Sequence, residues 1–146
     1  MHSTLRPFHL AFPVTNLEAT QTFFEEKLGC TIGRMSDHWI DIDFFGHQVT
    51  AHLCQQECGE TPTNTVDNHQ VPVRHFGIIL TWQDWHNLAE KLKTSGTTFL
   101  LEPYLRFEGQ PGEQATFFLN DPSGNGLEFK AFRHDDQLFE TSLEVS

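Results

Sequence analysis

The chain has 146 residues, 38% of them hydrophobic and 20% charged, a composition that fits one globular domain with a core and excludes a disordered chain. Its formal net charge of −11 argues against nucleic acid or an anionic membrane surface as the main partner, because both need basic surface. No apolar run reaches the ~20 residues of a membrane span, and three cysteines (Cys30, Cys54 and Cys58) make no disulfide framework and suit a reducing cytoplasm.

The first predicted element is a strand in "FHLAFPV". Phe8, Leu10, Phe12 and Val14 alternate as a large apolar face. Pro7, His9, Ala11 and Pro13 form the small one, with a single imidazole on it. The stretch before it, "MHSTLRPF", has no signal-peptide pattern. A helix follows in "NLEATQTFFEEKLG", with Asn16 placed to cap its start and Gly29 to end it. Three strands come next in "CTIGRMS", "HWIDIDFF" and "HQVTAHLC", the last two joined by a hairpin turn through Gly46. Residues 55–72 are polar, rich in turn formers and without periodicity, and read as a connector.

The order then restarts. "VRHFGIIL" is a strand, "WQDWHNLAEKLKTSG" a helix ending at Gly96, and "TTFLLEPYLRF", "EQATFFLN" and "GLEFKAF" are three more strands. "DPSGNG" is a turn signal before the last of them. Residues 134–146 are an acidic tail. The fold expected is therefore α+β: two tandem βαβββ modules, about 7–54 and 73–133, forming a curved mixed sheet around a metal-binding concavity in one domain. Fourteen phenylalanines supply its core or line its pocket.

Aligning the two opening strands sets His9 on His75. Strand alternation leaves His52 on the polar face of the fourth strand, and Glu128 and Lys130 on that of the last. Two imidazoles and a carboxylate (His9, His75 and Glu128) are the ligand set of a facial triad for a divalent transition metal, commonly Fe(II). Imidazole favours a borderline metal, the carboxylate offsets charge, and three protein ligands leave positions open. A buried Glu without a partner would otherwise be costly, although Lys130 or an arginine also answers that need. A strand histidine by itself equally reads as a hydrogen-bonded structural residue. Tyr104 and Arg106 share a strand face: the hydroxyl can orient a substrate oxygen and the guanidinium can clamp a carboxylate, or they are a packed aromatic and a salt bridge. Trp39 lines a cavity or fills the core. Lys130 contacts substrate or Glu128, or reaches solvent.

The stretches "FHLAFPV" with "NLEATQTFFEEKLGC", "RHFGIIL" and "FFLNDPSGNGLEFK" resemble the vicinal oxygen chelate superfamily, from residue 7 to about 133. That superfamily includes glyoxalase I, extradiol dioxygenases, fosfomycin-resistance thiol transferases and bleomycin-binding proteins. Within it, "HWIDIDFFGHQVTAHL" and "PYLRFEGQPGEQATFFLNDPSGNGLEFKAF" look like a bacterial extradiol-dioxygenase-like branch. The resemblance implies His9, His75 and Glu128 as metal ligands, with Fe(II) the first expectation and Mn(II), Ni(II) or Zn(II) as others. It implies a small substrate with adjacent oxygens and a homodimer. At the end of the first half, where glyoxalase I-like members commonly carry Glu, this chain has His52, read as a fourth ligand, an acid/base group or a core histidine. A ring-cleaving dioxygenase with His52 or Tyr104 moving protons is the leading expectation. A glyoxalase I-like lyase or isomerase, or a sequestering protein of the antibiotic-resistance type, are the alternatives.

Overall fold

The computed structural model describes residues 5–142, so His2 and residues 143–146 of the acidic tail lie outside the described residues. The fold is α+β, with two four-stranded sheets and a third of two strands. The chain forms two compact units: residues up to Glu60 together with Asp121–Asn125, and Thr61–Asn120 together with the residues from Gly126 on. Among the described residues no helix is long and apolar enough to cross a membrane.

The first unit contains β1 (His9–Val14), α1 (Leu17–Thr22), β2 (Thr31–Met35), β3 (Trp39–Phe44) and β4 (His47–Leu53). The sheet order is β1-β4-β3-β2, with β1 parallel to β4 and the other pairs antiparallel. Asn16 caps α1 as its position predicts, accepting the Ala19 N–H at 2.8 Å. The predicted single helix is in fact α1 followed by a π-helical turn at Phe23–Lys27. Gly29 then stops it at φ 72°, a left-handed conformation open to glycine. Phe24, Phe44, Ile40, Ile42, Val14 and Val49 are buried together, and the Phe24 ring meets Phe12 at 6.0 Å and Phe44 at 6.2 Å. Each such side chain stabilises the fold by about 1.5–3 kcal/mol relative to exposure. Phe8 departs from the expected apolar face: it precedes β1 and is 63% exposed.

The loop Asp121–Asn125 completes this unit. Asp121 Oδ1 accepts the Ser123 and Asn125 N–H groups at 2.9 and 2.7 Å. Asn125 Nδ2 donates to the Pro13 carbonyl at 2.8 Å, and Ser123 Oγ accepts the Thr15 N–H at 2.8 Å. The left-handed residue of this turn is Gly124 (φ 87°). At Gly126, the residue that opens β10 after this turn, a Cβ would stand 2.9 Å from Pro72 Cγ.

The second unit contains β5 (Thr63–Val66), β6 (His69–Pro72), β7 (His75–Leu80), α2 (Trp82–Thr94), β8 (Leu101–Arg106), β9 (Gln114–Asn120) and β10 (Gly126–Phe132). The order β7-β10-β9-β8, with β7 parallel to β10, repeats that of the first unit. Its core is Leu92, Trp85, Phe117, Leu119, Leu127 and Phe129, with Phe117 stacked on Phe129 at 5.2 Å. Trp85 Nε1 donates to the Phe129 carbonyl at 2.8 Å and so ties α2 to β10.

The expected featureless connector is structured. It holds a 3₁₀ turn at Gln55–Glu57 and the β5–β6 hairpin. The hairpin turn is Asp67–Asn68, both left-handed at φ 50° and 65°, which is the conformation a two-residue hairpin loop needs. Asp-Asn lacks the glycine that marks such turns most clearly, and the two short strands carry little apolar alternation.

Candidate functional site

In the second unit, β10 turns Leu127, Phe129 and Ala131 toward the core and Glu128 and Lys130 to the other face, as alternation predicts. The β7–β10 register sets Gly126 opposite His75 and Glu128 opposite Gly77. Across that register His75 Nε2 approaches Glu128 Oε1 at 3.2 Å. His75 Nδ1 lies 2.7 Å from the Pro72 carbonyl, which can only accept, so Nδ1 carries a proton. In the neutral ring Nε2 is then a bare lone pair aimed at a carboxylate oxygen. Two acceptors at that distance repel unless a proton or a cation lies between them.

In the metal-free protein a proton answers that demand. The Glu128 hydrogen bond raises the His75 pKa above its ordinary value against the opposing effect of burial. Burial pushes the Glu128 carboxyl up, but the hydrogen bonds from His75 and Thr116, with the Lys130 charge, outweigh it and hold the pKa below the usual range. Thr116 Oγ1 donates to Glu128 Oε2 at 2.7 Å, so both carboxylate oxygens are engaged. The Phe118 ring meets the imidazole edge-on at 5.0 Å. The Lys130 ammonium lies 5.7 Å from the Phe132 ring.

A second group lies on the same sheet. Tyr104 stands opposite Thr116 in the β8–β9 register, and Arg106 opposite Gln114. Tyr104 and Arg106 share a face, as expected, and converge on Asp67 at the tip of the β5–β6 hairpin. The Tyr104 hydroxyl donates to Asp67 Oδ2 at 2.9 Å, Arg106 Nε pairs with the same oxygen at 2.5 Å, and Arg106 NH2 reaches Oδ1 at 3.5 Å. Burial, then the Asp67 hydrogen bond and charge, push the Tyr104 pKa up to about 12. The His69 ring lies 5.1 Å from that of Tyr104. Asp67 was not among the residues the sequence singled out, and no periodicity links a hairpin tip to a strand about forty positions later.

In the first unit, His9 is an exposed residue of β1 opposite Gln48. The registers repeat: Ala11 faces Thr50 as Gly77 faces Glu128, and Pro13 faces His52 as Ile79 faces Lys130. The counterpart of Glu128 is therefore Thr50, and His52 stands two residues beyond it, where the other module has Lys130. Thr50 Oγ1 donates to the buried Asp41 Oδ1 at 2.7 Å, and Arg34 approaches Asp41 Oδ2 at 3.4 Å. His52 is exposed and lies directly across the β3–β4 ladder from the half-buried Trp39. The Arg34 guanidinium sits 5.9 Å above the Trp39 ring. An open groove of about 380 Å³ runs along this face past Arg34, Asp41, Asp43 and Gln48. The three cysteines are free thiols.

Of the expected ligands, His75 and Glu128 meet in one unit, and His9 belongs to the other. Among the described residues no three His, Cys, Asp or Glu side chains form a group that could hold a metal ion.

The model of the glyoxalase/bleomycin resistance protein/dioxygenase superfamily matches residues 6–129. A glyoxalase/bleomycin resistance protein/dioxygenase from Alicyclobacillus acidocaldarius is 36% identical, with a TM-score of 0.75 over 92% of this chain and 96% of its own. The fold also matches a genomically encoded fosfomycin resistance protein from Listeria monocytogenes at 16% identity and TM-score 0.65, over 94% of this chain and 100% of that one. Lactoylglutathione lyase from Agrobacterium tumefaciens matches at 11% identity and TM-score 0.62, over 95% and 99%. No curated protein sequence matches. A duplicated βαβββ unit with its edge-strand histidines, and a family match over most of its length, give one conclusion: the chain belongs to the glyoxalase/bleomycin resistance protein/dioxygenase superfamily.

Proposed function

We propose that the chain is a metal-dependent enzyme for a small substrate with two adjacent oxygens, with a ring-cleaving, extradiol-type dioxygenase as its reaction. The observation that carries the reading is the pair of acceptors His75 Nε2 and Glu128 Oε1 at 3.2 Å, which need a cation or a proton between them. The Nδ1–H of His75 is already given to the Pro72 carbonyl, the outer-shell bond that fixes a metal-binding tautomer. His9 holds the same register position on β1 that His75 holds on β7, which supports it as the third ligand. A two-imidazole, one-carboxylate set suits Fe(II), and Mn(II), Ni(II) and Zn(II) are compatible; the cation would chelate both substrate oxygens and stabilise developing negative charge.

The other residues have separate tasks in this reading. Thr116 holds Glu128 in place. Tyr104, with its pKa near 12, stays protonated at neutral pH and serves as a hydrogen-bond or proton donor rather than a base. Arg106 offers a guanidinium for a carboxylate. Lys130 shares the Glu128 face, Trp39 offers an aromatic wall, and His52 is an exposed imidazole free to move protons. A homodimer in a reducing cytoplasm, with ligands drawn from one chain or two, belongs to the same proposal.

The test is metal analysis of protein purified without chelators, followed by anaerobic Fe(II) loading and O₂ uptake with a panel of catechols. Stoichiometric metal and O₂ consumption are expected. Absence of stoichiometric metal at any pH would favour a sequestering protein and overturn the enzyme reading. Bound metal with turnover of a hemithioacetal, and no O₂ uptake, would reassign it as a lyase. The position equivalent to Glu128 in the first module is Thr50, which offers a glyoxalase-type site no second carboxylate there.

A further inference from the structure

Asp67 sits between a phenol and a guanidinium. One carboxylate receives a phenol hydrogen bond at 2.9 Å and a guanidinium through two nitrogens. Tyr104 and Arg106 belong to β8, paired with β9, and the ion pair is largely buried, the Arg106 side chain at 17% exposure and Asp67 at 24%. The carboxylate comes from a far less secure element. The β5–β6 hairpin has four-residue strands and, among the described residues, pairs with no other strand. Thr63, Asn64, Thr65 and Gln70 are exposed, and its buried weight is Val71 and Pro72 at the base, where the Val73 N–H bonds the Pro62 carbonyl at 2.7 Å. A two-stranded hairpin of this length is marginal by itself.

We infer that Tyr104 and Arg106 form a receptor for an organic carboxylate, that Asp67 is its internal stand-in, and that a ligand carboxylate displaces the hairpin tip. Removing Asp67 without replacement would leave a largely buried guanidinium without that partner, which is costly. Exchanging one carboxylate for another keeps both donors satisfied. Neutral ligands are therefore rejected and carboxylates admitted. Tyr104 faces Thr116, and Thr116 holds Glu128, so the receptor lies on the same sheet face as His75 and Glu128. The substrate class becomes an adjacent-oxygen compound that also bears a carboxylate. Only that last step rests on the proposed function; the receptor stands without it.

The test uses the full chain, metal-free in chelator, with benzoate as probe and benzamide as neutral control. Tyr104 is the only tyrosine, so ¹³C-labelled tyrosine reports the site alone by NMR. Asp67→Asn keeps the turn and an acceptor for Tyr104 while removing the competing charge. It should bind benzoate at least tenfold more tightly than the wild type, with benzamide binding neither. Adding Arg106→Gln should abolish the gain. Equal benzoate affinity in wild type and Asp67→Asn, or a gain that survives Arg106→Gln, overturns the inference. Circular dichroism checks the fold of each variant. Metal content of the wild type is measured separately, so failure of the metal reading and failure of this one are distinguishable.

Discussion

Gly77 and Glu128 are locked together by their backbones: a methyl group on Gly77 would overlap the Glu128 carbonyl oxygen. That approach requires glycine two places after His75. It lets β10 lie against β7 at the point where Glu128 meets His75. Gly77→Ala should destabilise the protein by about 1–3 kcal/mol or more, because the obstacle is backbone and cannot rotate away. Denaturant unfolding checks this; a change under ~0.5 kcal/mol would contradict the packing.

Thr116 should matter to metal binding out of proportion to its effect on stability. Its hydroxyl fixes Glu128 Oε2 at 2.7 Å. Thr116→Val keeps the shape and removes that bond. Metal affinity should fall about 10–100-fold, the usual cost of losing an outer-shell partner, while far-ultraviolet circular dichroism is retained. Competition with a chromophoric chelator measures it.

His9→Ala should lose stoichiometric metal while the thermal midpoint of the metal-free protein stays close to wild type. The residue is exposed, and surface substitutions away from special features usually cost within ~0.5 kcal/mol. Full metal occupancy in the variant would remove His9 from the ligand set.

The single tyrosine gives a direct titration. Ultraviolet difference absorbance should report tyrosinate forming near pH 12, well above the ordinary value of about 10. The folded-state pKa is raised, so its contribution to stability is complete below about 10 and lost as pH climbs toward 12. Asp67→Asn should lower the midpoint but leave it above 10, since burial remains. A wild-type midpoint at 10 would mean the hydroxyl is not held by Asp67.

Trp85→Phe should cost about 1–3 kcal/mol. The ring is buried, and its Nε1–H satisfies the Phe129 carbonyl beside Glu128. Losing the donor removes a buried hydrogen bond between α2 and β10. Chemical denaturation checks this, and hydrogen exchange should speed up along β10.

How far the site can be read from sequence follows from what periodicity encodes. Alternation assigns a face, so Glu128 with Lys130 and Tyr104 with Arg106 are legible in the sequence. Alternation is blind to shifts of two. Thr50 and His52 lie on the same face of β4, and only the hydrogen-bonded ladder decides that Thr50 matches Glu128. The helix ends at Gly29 and Gly96 are legible because both need a left-handed residue. The π-helical turn and the β5–β6 hairpin are not, since neither has a strong local composition. Asp67 is illegible for a different reason: its role is conferred by partners on β8, distant in sequence.

The loop Asp121–Asn125 has a consequence for any attempt to express the first module alone. That unit is not one continuous stretch of chain. Two of its own backbone groups, the Pro13 carbonyl and the Thr15 N–H, are partnered by Asn125 and Ser123, more than a hundred positions downstream. A fragment cut at residue 60 would carry the strands and helix of the module and still lack the clasp at the end of β1. Duplication is written in the order of its elements, but the first copy can no longer be excised whole: splitting the gene between the repeats would produce an incomplete module, and complementation by a separately supplied second fragment would have to return those five residues to it.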